Sequence, residues 1–211
     1  CSSDLDMVVL ARALRREGYE VVNWGYPSTR YSLDQLADRL AQALESYRDR
    51  KVHFICHSMG GIVVRIYLAR YQPRNVGRLV MVGTPNQGAY LADELCDWLV
   101  YRILFGPAGQ QLRQGEFGCC TCAGIPPCEF GIIAGGTGSE DGMNPIIPGD
   151  NDGTVSVEST RLEGMSDFLV LPYSHTMITY MPRTVKNAIH FLKTGHFAET
   201  SEWRGKVRRA S

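Results

Sequence analysis

Val52-His53-Phe54-Ile55-Cys56-His57-Ser58-Met59-Gly60-Gly61-Ile62-Val63-Val64 passes without a break from a strand-like stretch into a helix-like one. Residues 52–56 form an apolar run of the kind found in buried parallel strands. Residues 60–71 place Ile62, Val63, Ile66, Tyr67 and Ala69 close to one helical stripe. A strand feeding directly into a helix needs a sharp turn. The residue at its tip, Ser58, is lifted above the carboxyl edge of the sheet, where open α/β sheets place their sites. The crowded backbone demands small residues two positions before and two after. Gly60 meets the rear requirement, and Cys56, small but not glycine, stands in front.

Working outward, the pattern alternates. Residues 4–16 carry Leu5, Val8, Val9, Ala13 and Leu14 at near-helical spacing, and Gly18 ends the run. Residues 19–24 read as a short strand closed by Gly25 and Pro27. Ser32 and Gln35 form a capping-box pattern ahead of Leu33, Leu36, Leu40, Ala43 and Leu44. Beyond the elbow, residues 79–82, 130–134 and 168–171 read as strands, and 184–193 as a last helix stopped by Gly195. Short connections between alternating strands and helices predict an α/β fold, a mostly parallel sheet with helices on both faces. Residues 88–128 break the alternation and are expected to form a lid or surface insertion. Within them, residues 90–105 place Leu91, Leu95, Trp98, Leu99 and Ile103 on one helical face. That face either caps the site or packs on the sheet.

The chemistry centres on Ser58. A serine attacks at neutral pH only when a base takes its proton and a third group fixes the tautomer of that base. A serine here can also be a plain helix cap, but a strand before it and a helix after it are the context of a nucleophile. Of five histidines, His53 precedes the serine within a strand. His57 adjoins it but is expected to point elsewhere, since neighbours across a turn do not share a direction, and His190 and His196 lie in or after the last helix. His175, in Pro172-Tyr173-Ser174-His175, follows a late strand and is the expected base. In Asp150-Asn151-Asp152-Gly153-Thr154-Val155, Asp152 is the expected acid, and its neighbour Asp150 is the alternative. The segment can also be a turn without chemistry. The Met59 N–H, at the helix N-terminus, is the expected oxyanion donor.

The stretch Cys56-His-Ser-Met-Gly-Gly-Ile-Val-Val-Arg65, with Val82-Gly-Thr-Pro-Asn-Gln-Gly88, Asp150-Asn-Asp-Gly-Thr-Val155 and Ser174-His175, resembles the α/β-hydrolase superfamily. Within it the likeness is to small bacterial lipase- and esterase-like proteins related to triacylglycerol lipases and glycosylphosphatidylinositol-inositol deacylases. The resemblance covers residues 4–195. It implies an α/β-hydrolase domain over 1–195, with a short basic tail over 196–211. It also implies carboxylic ester hydrolysis, of lipid or acyl esters, through an acyl-enzyme. Trp98, Leu99 and Tyr26 are the candidate substrate-contacting residues. The family's second oxyanion donor comes from a loop after a first core strand. The resemblance therefore implies that this strand and loop are absent from residues 1–211, and that activity of those residues alone is weak. Two other functions use the same scaffold, acyl transfer to an alcohol and non-catalytic binding.

Composition narrows the field further. Lys plus Arg equals Asp plus Glu at 22 each, so no net field draws the chain to nucleic acid. No apolar run reaches about 18 residues, so no transmembrane helix is encoded; transient contact with a membrane surface is compatible with this. No signal-peptide pattern is visible from Cys1 onward. Four of seven cysteines cluster as Cys119, Cys120, Cys122 and Cys128. With no repeated C-x-x-C pair and no nearby histidine, they read as a cysteine-rich loop rather than a metal site. No metal and no cofactor is expected, and nothing indicates an oligomeric state.

Overall fold

The computed structural model describes residues 7–27, 30–88 and 123–200. Four strands form one parallel sheet in the order β1-β2-β3-β4: β1 Val52–His57, β2 Val76–Val82, β3 Phe130–Gly135 and β4 Asp167–Leu171. Helices α1 Val8–Arg16 and α5 Pro182–Thr194 lie on one face, and α2 Leu33–Ala43 and α3 Met59–Tyr71 on the other. A short helix, α4 Val157–Thr160, precedes β4. Among the described residues no helix is long and apolar enough to cross a membrane.

The two cores follow from strand alternation. Leu79, Met81, Phe130 and Ile132 point toward α2 and α3, whereas Val80, Val82, Ile133, Leu169 and Leu171 point toward α1 and α5. Each residue of β3 is buried, as expected of a parallel strand covered on both faces. Helix α3 is buried almost all round, because it lies between the sheet and α2. Such a helix holds the first residue of its N-terminus firmly, and that residue follows Ser58.

Local signals set the helix ends. The Gln35 N–H donates to Ser32 Oγ at 3.3 Å and the Ser32 N–H to Gln35 Oε1 at 3.0 Å, which completes the capping box. Helix α5 begins two residues earlier than its periodicity suggests, because Pro182 is preorganised for the first turn. Gly195 closes it at φ +87°, donating its N–H to the Phe191 carbonyl at 2.9 Å. The chain stays packed past the expected boundary at 195. Phe197 is buried against Phe191, and Glu199 pairs with Arg183.

One expected element does not form. Residues 19–24 are not a strand. A strand is defined by a ladder, and a cleft of about 490 Å³ separates residues 19–26 from β1. Leu14, Val21, Trp24, Tyr26, Leu44 and Ile55 are among its lining residues. Instead, the Val21 carbonyl accepts from the Arg15 guanidinium at 3.1 Å. The ladder between β1 and β2 is also irregular, shifting register between Val52 and Phe54. There His53 Nδ1 accepts the Arg78 N–H at 2.9 Å, so an imidazole stands in for a backbone acceptor. Gly77 makes the room, since a Cβ there would meet the His53 ring at 2.6 Å.

Candidate active site

Ser58 follows the last residue of β1 and caps α3 with φ +53° and ψ −130°. Such a backbone is strained for a residue with a side chain. The Ser58 N–H donates to the Val82 carbonyl at 2.9 Å, extending the β1–β2 ladder to the tip. Its side chain makes no cap hydrogen bond to α3, so a plain helix cap does not describe it. Cys56 fits where glycine was expected because it faces Gly60, and a Cβ on Gly60 would lie 3.9 Å from the Cys56 Cβ. Gly61 is held against Thr84, whose side chain occupies the place of a Cβ.

Ser58 Oγ lies 2.9 Å from His175 Nε2, and His175 Nδ1 lies 2.7 Å from Asp152 Oδ2. Asp152 is 1% exposed and His175 9%. Asp152 Oδ1 accepts the N–H groups of Thr154 at 3.0 Å and Val155 at 2.8 Å. With the carboxylate so engaged, the proton between the pair belongs on Nδ1, which leaves Nε2 as the acceptor for the serine hydroxyl. This tautomer is assigned from the hydrogen-bond network. The His175 N–H donates to the Asp152 carbonyl at 2.9 Å, so backbone and side chain both join the two loops.

Glycine at the strand tips permits this approach. Gly83, just past β2, has φ +56°, and a Cβ there would sit 3.2 Å from His175 Nδ1. At Gly135, the end of β3, a Cβ would lie 2.7 Å from the Asp152 Cβ. All these groups lie at the carboxyl edge of the sheet, as the elbow reading expects.

The alternative acid has different partners. Asp150 Oδ1 accepts the Thr137 N–H at 2.7 Å and its hydroxyl at 3.1 Å, and Oδ2 accepts the Gly138 N–H at 2.9 Å. Its carboxylate therefore fastens the loop after β3. Met59 is buried at the first turn of α3, where N–H groups have no intrahelical partner. Tyr26 packs beside the elbow: its hydroxyl is 3.3 Å from the Cβ position of Gly60, and its ring is 4.9 Å from that of Trp24. Burial, with Cys56 nearby, pushes its phenol pKa well up. Trp98 and Leu99 lie outside the described residues, as do Cys119, Cys120 and Cys122. Cys56 and Cys128 are free thiols, pushed by burial up to about 12 and about 11. Among the described residues no group of three or more His, Cys, Asp and Glu side chains could hold a metal.

Two residues of the site were not legible in the sequence. His57 Nε2 donates to the His175 carbonyl at 2.9 Å, and the two rings lie 4.8 Å apart. Arg65, on α3 and 2% exposed, donates to the Gly124 carbonyl from Nε and Nη2, at 3.0 and 2.9 Å. Its Nη1 reaches the Asn86 carbonyl at 3.2 Å and Oδ1 at 3.1 Å. Asn86 in turn donates to the Thr160 carbonyl at 2.7 Å. One buried guanidinium thus joins the segment after β2, the segment before β3 and the helix that follows Ser58. The arginine ending the elbow motif was the only sequence signal for this.

The family model of the alpha/beta hydrolase fold matches residues 11–110. The lysosomal thioesterase PPT2 of Bos taurus is 32% identical over 95 residues, 41% of this chain and 28% of that protein. Its Homo sapiens counterpart is 34% identical over 77 residues, 33% of this chain and 24% of that protein. The matched stretch thus spans about a quarter of the length of these relatives. Among solved structures, the mature Bacillus licheniformis lipase BlEst2 superposes with a TM-score of 0.61 at 19% identity, covering 91% of this chain and 84% of that one. Phospholipase PlaB of Legionella pneumophila gives 0.65 at 19% identity, covering 95% of this chain and 58% of that one. At such identities these two structures speak for the fold alone. With the matching family model and the parallel sheet flanked by helices, they show that this chain has the α/β-hydrolase fold.

Proposed function

We propose that the protein is a serine hydrolase of carboxylic esters, lipid or acyl esters in particular, acting through Ser58, His175 and Asp152. The observation that carries the proposal is the unbroken chain from Ser58 Oγ to His175 Nε2 at 2.9 Å and from Nδ1 to Asp152 Oδ2 at 2.7 Å, at the tip of a strained strand-to-helix turn. His175 takes the Ser58 proton as Oγ attacks the carbonyl carbon. Asp152 stabilises the imidazolium that forms. The Met59 N–H, at the positive end of α3, donates to the tetrahedral oxyanion. The imidazolium then protonates the leaving group, the acyl group stays on Ser58, and water releases it by the same sequence in reverse roles. Tyr26, on the flank of the elbow, is the candidate substrate contact among the described residues.

A second reading concerns the leaving group. The curated relatives carry the name thioesterase at 32–34% identity, and the same serine chemistry expels a thiol as readily as an alcohol. Acyl-thioester and p-nitrophenyl ester substrates compared on one preparation decide between them. Ser58→Ala should abolish turnover of both substrates and labelling by a fluorophosphonate probe. Labelling of Ser58→Ala at the wild-type rate would remove Ser58 as the nucleophile.

A further inference from the structure

His175 is the member of the proposed chain that neither a strand nor a helix carries. Ser58 is fixed by β1 and α3, and Asp152 by two backbone N–H groups. His175 sits in the loop after β4, so its ring stays in register only if the loop is held. The N–H of its own residue is tied to the Asp152 carbonyl at 2.9 Å. The carbonyl on the other side of its Cα is tied to His57 Nε2, also at 2.9 Å.

His57 is well placed to be the fixed end of that tie. It is the last residue of β1 and is paired in register with Val82 of β2. Its ring also lies against the His175 ring, with centroids 4.8 Å apart and planes inclined by 38°. The nitrogen that donates must carry a hydrogen, and Nε2 does so in that neutral tautomer as well as in the imidazolium.

We propose that His57 is a positioning residue for the reaction, its Nε2–H holding the His175 carbonyl so that the His175 ring stays between Ser58 Oγ and Asp152. The inference rests on His175 being the base. In this role His57 acts through His175, whose carbonyl and ring it meets. Loss of its hydrogen bond lets the base depart from its narrow working geometry, where small displacements are costly to rate. The loss therefore falls on turnover and not on substrate capture.

Two variants separate the donor from the ring. His57→Phe keeps a flat ring against His175 and removes the donor. His57→Gln removes the ring and keeps an N–H near the position of Nε2. We expect His57→Phe to lower kcat about ten-fold per active site titrated with fluorophosphonate, the scale of one lost hydrogen bond. KM should stay within about two-fold, and probe labelling should slow in proportion to kcat. His57→Gln should recover most of the loss. If Gln is no better than Phe while both are folded by circular dichroism, or if Phe turns over within about two-fold of wild type, the proposal is overturned. Ser58→Ala is run beside them. Activity surviving in Ser58→Ala overturns the underlying reaction, whereas a dead Ser58→Ala beside a fully active His57→Phe overturns the role of His57 alone.

Discussion

Asp150 and Asp152 lie two residues apart and are both buried, yet exchanging each for asparagine should produce opposite signatures. In Asp152→Asn the amide oxygen can keep the Thr154 and Val155 N–H bonds, so the turn should survive. The amide NH₂ then faces His175 Nδ1 and forces that nitrogen to accept. The ring proton moves to Nε2, pointing at Ser58 Oγ, and the base can no longer take the serine proton. A tautomer error of this kind lowers kcat about 10⁴-fold, or about 5.4 kcal/mol in the barrier. Asp150→Asn meets a different problem. Its two oxygens accept from Thr137 and Gly138, and an amide has one oxygen to offer. One N–H is left facing an NH₂, at a cost of about 1.5–3 kcal/mol for a bond to a charged group. For a chain of this size that lowers Tm by about 3–12 °C. The kcat per titrated site should stay within about ten-fold of wild type. Thermal denaturation and active-site titration on the same preparations read both quantities. A large loss of kcat in Asp150→Asn with Asp152→Asn active would refute the assignment of the acid.

Arg65→Met should remove the guanidinium from Gly124 and Asn86 and leave their oxygens buried without it, at a cost of about 3–5 kcal/mol in a urea titration. Arg65→Lys should recover only part, since an ammonium lacks the fork, and a cost under about 1 kcal/mol for Met would contradict the joining role. His53 is held below the ordinary imidazole range, by burial first and then by the charges of Lys51 and Arg78. Its contribution to stability is therefore complete above the unfolded value of 6.5 and is lost as pH falls through the lower folded value. Protonation also occupies the Nδ1 lone pair that accepts from Arg78. His53→Asn keeps an acceptor and cannot titrate, so the lead of wild type over it in urea midpoint should shrink between pH 7.5 and 5; a constant lead would show that His53 is not the titrating group.

The sequence revealed those features whose cause is local. The elbow was legible because a strand, a small residue, Ser58, Gly60 and a helix follow one another within a dozen positions. The capping box at Ser32 and the stop at Gly195 are local too. The strands within 76–82 and 130–135 stood out because parallel strands buried on both faces are apolar throughout. Residues 19–24 have strand composition, but a strand also needs a neighbour at hydrogen-bonding distance, and composition does not report distance. His53 reads as an ordinary strand residue; only the register shift turns its ring into a ladder acceptor. The role of Arg65 depends on Asn86 and Gly124, 21 and 59 residues away.

His57 shows why the supporting residues of such a site escape a linear reading. From the sequence alone, a residue beside Ser58 across a sharp turn is expected to project away from it. The turn carries the His57 ring to the loop after β4, 118 positions along the chain. Ser58 bears its positive φ because β2 takes its N–H and a buried helix begins at the next residue. Ser58 is therefore held by strand and helix, while His175, the proposed base, is held by ties between loops. In one direction those ties run to the Asp152 carbonyl and carboxylate, and in the other to His57 at the end of β1. A side chain at Gly83 or Gly135 would meet His175 or Asp152, so the small residues at the strand tips and the two ties on the His175 backbone together define how closely Asp152 and His175 approach.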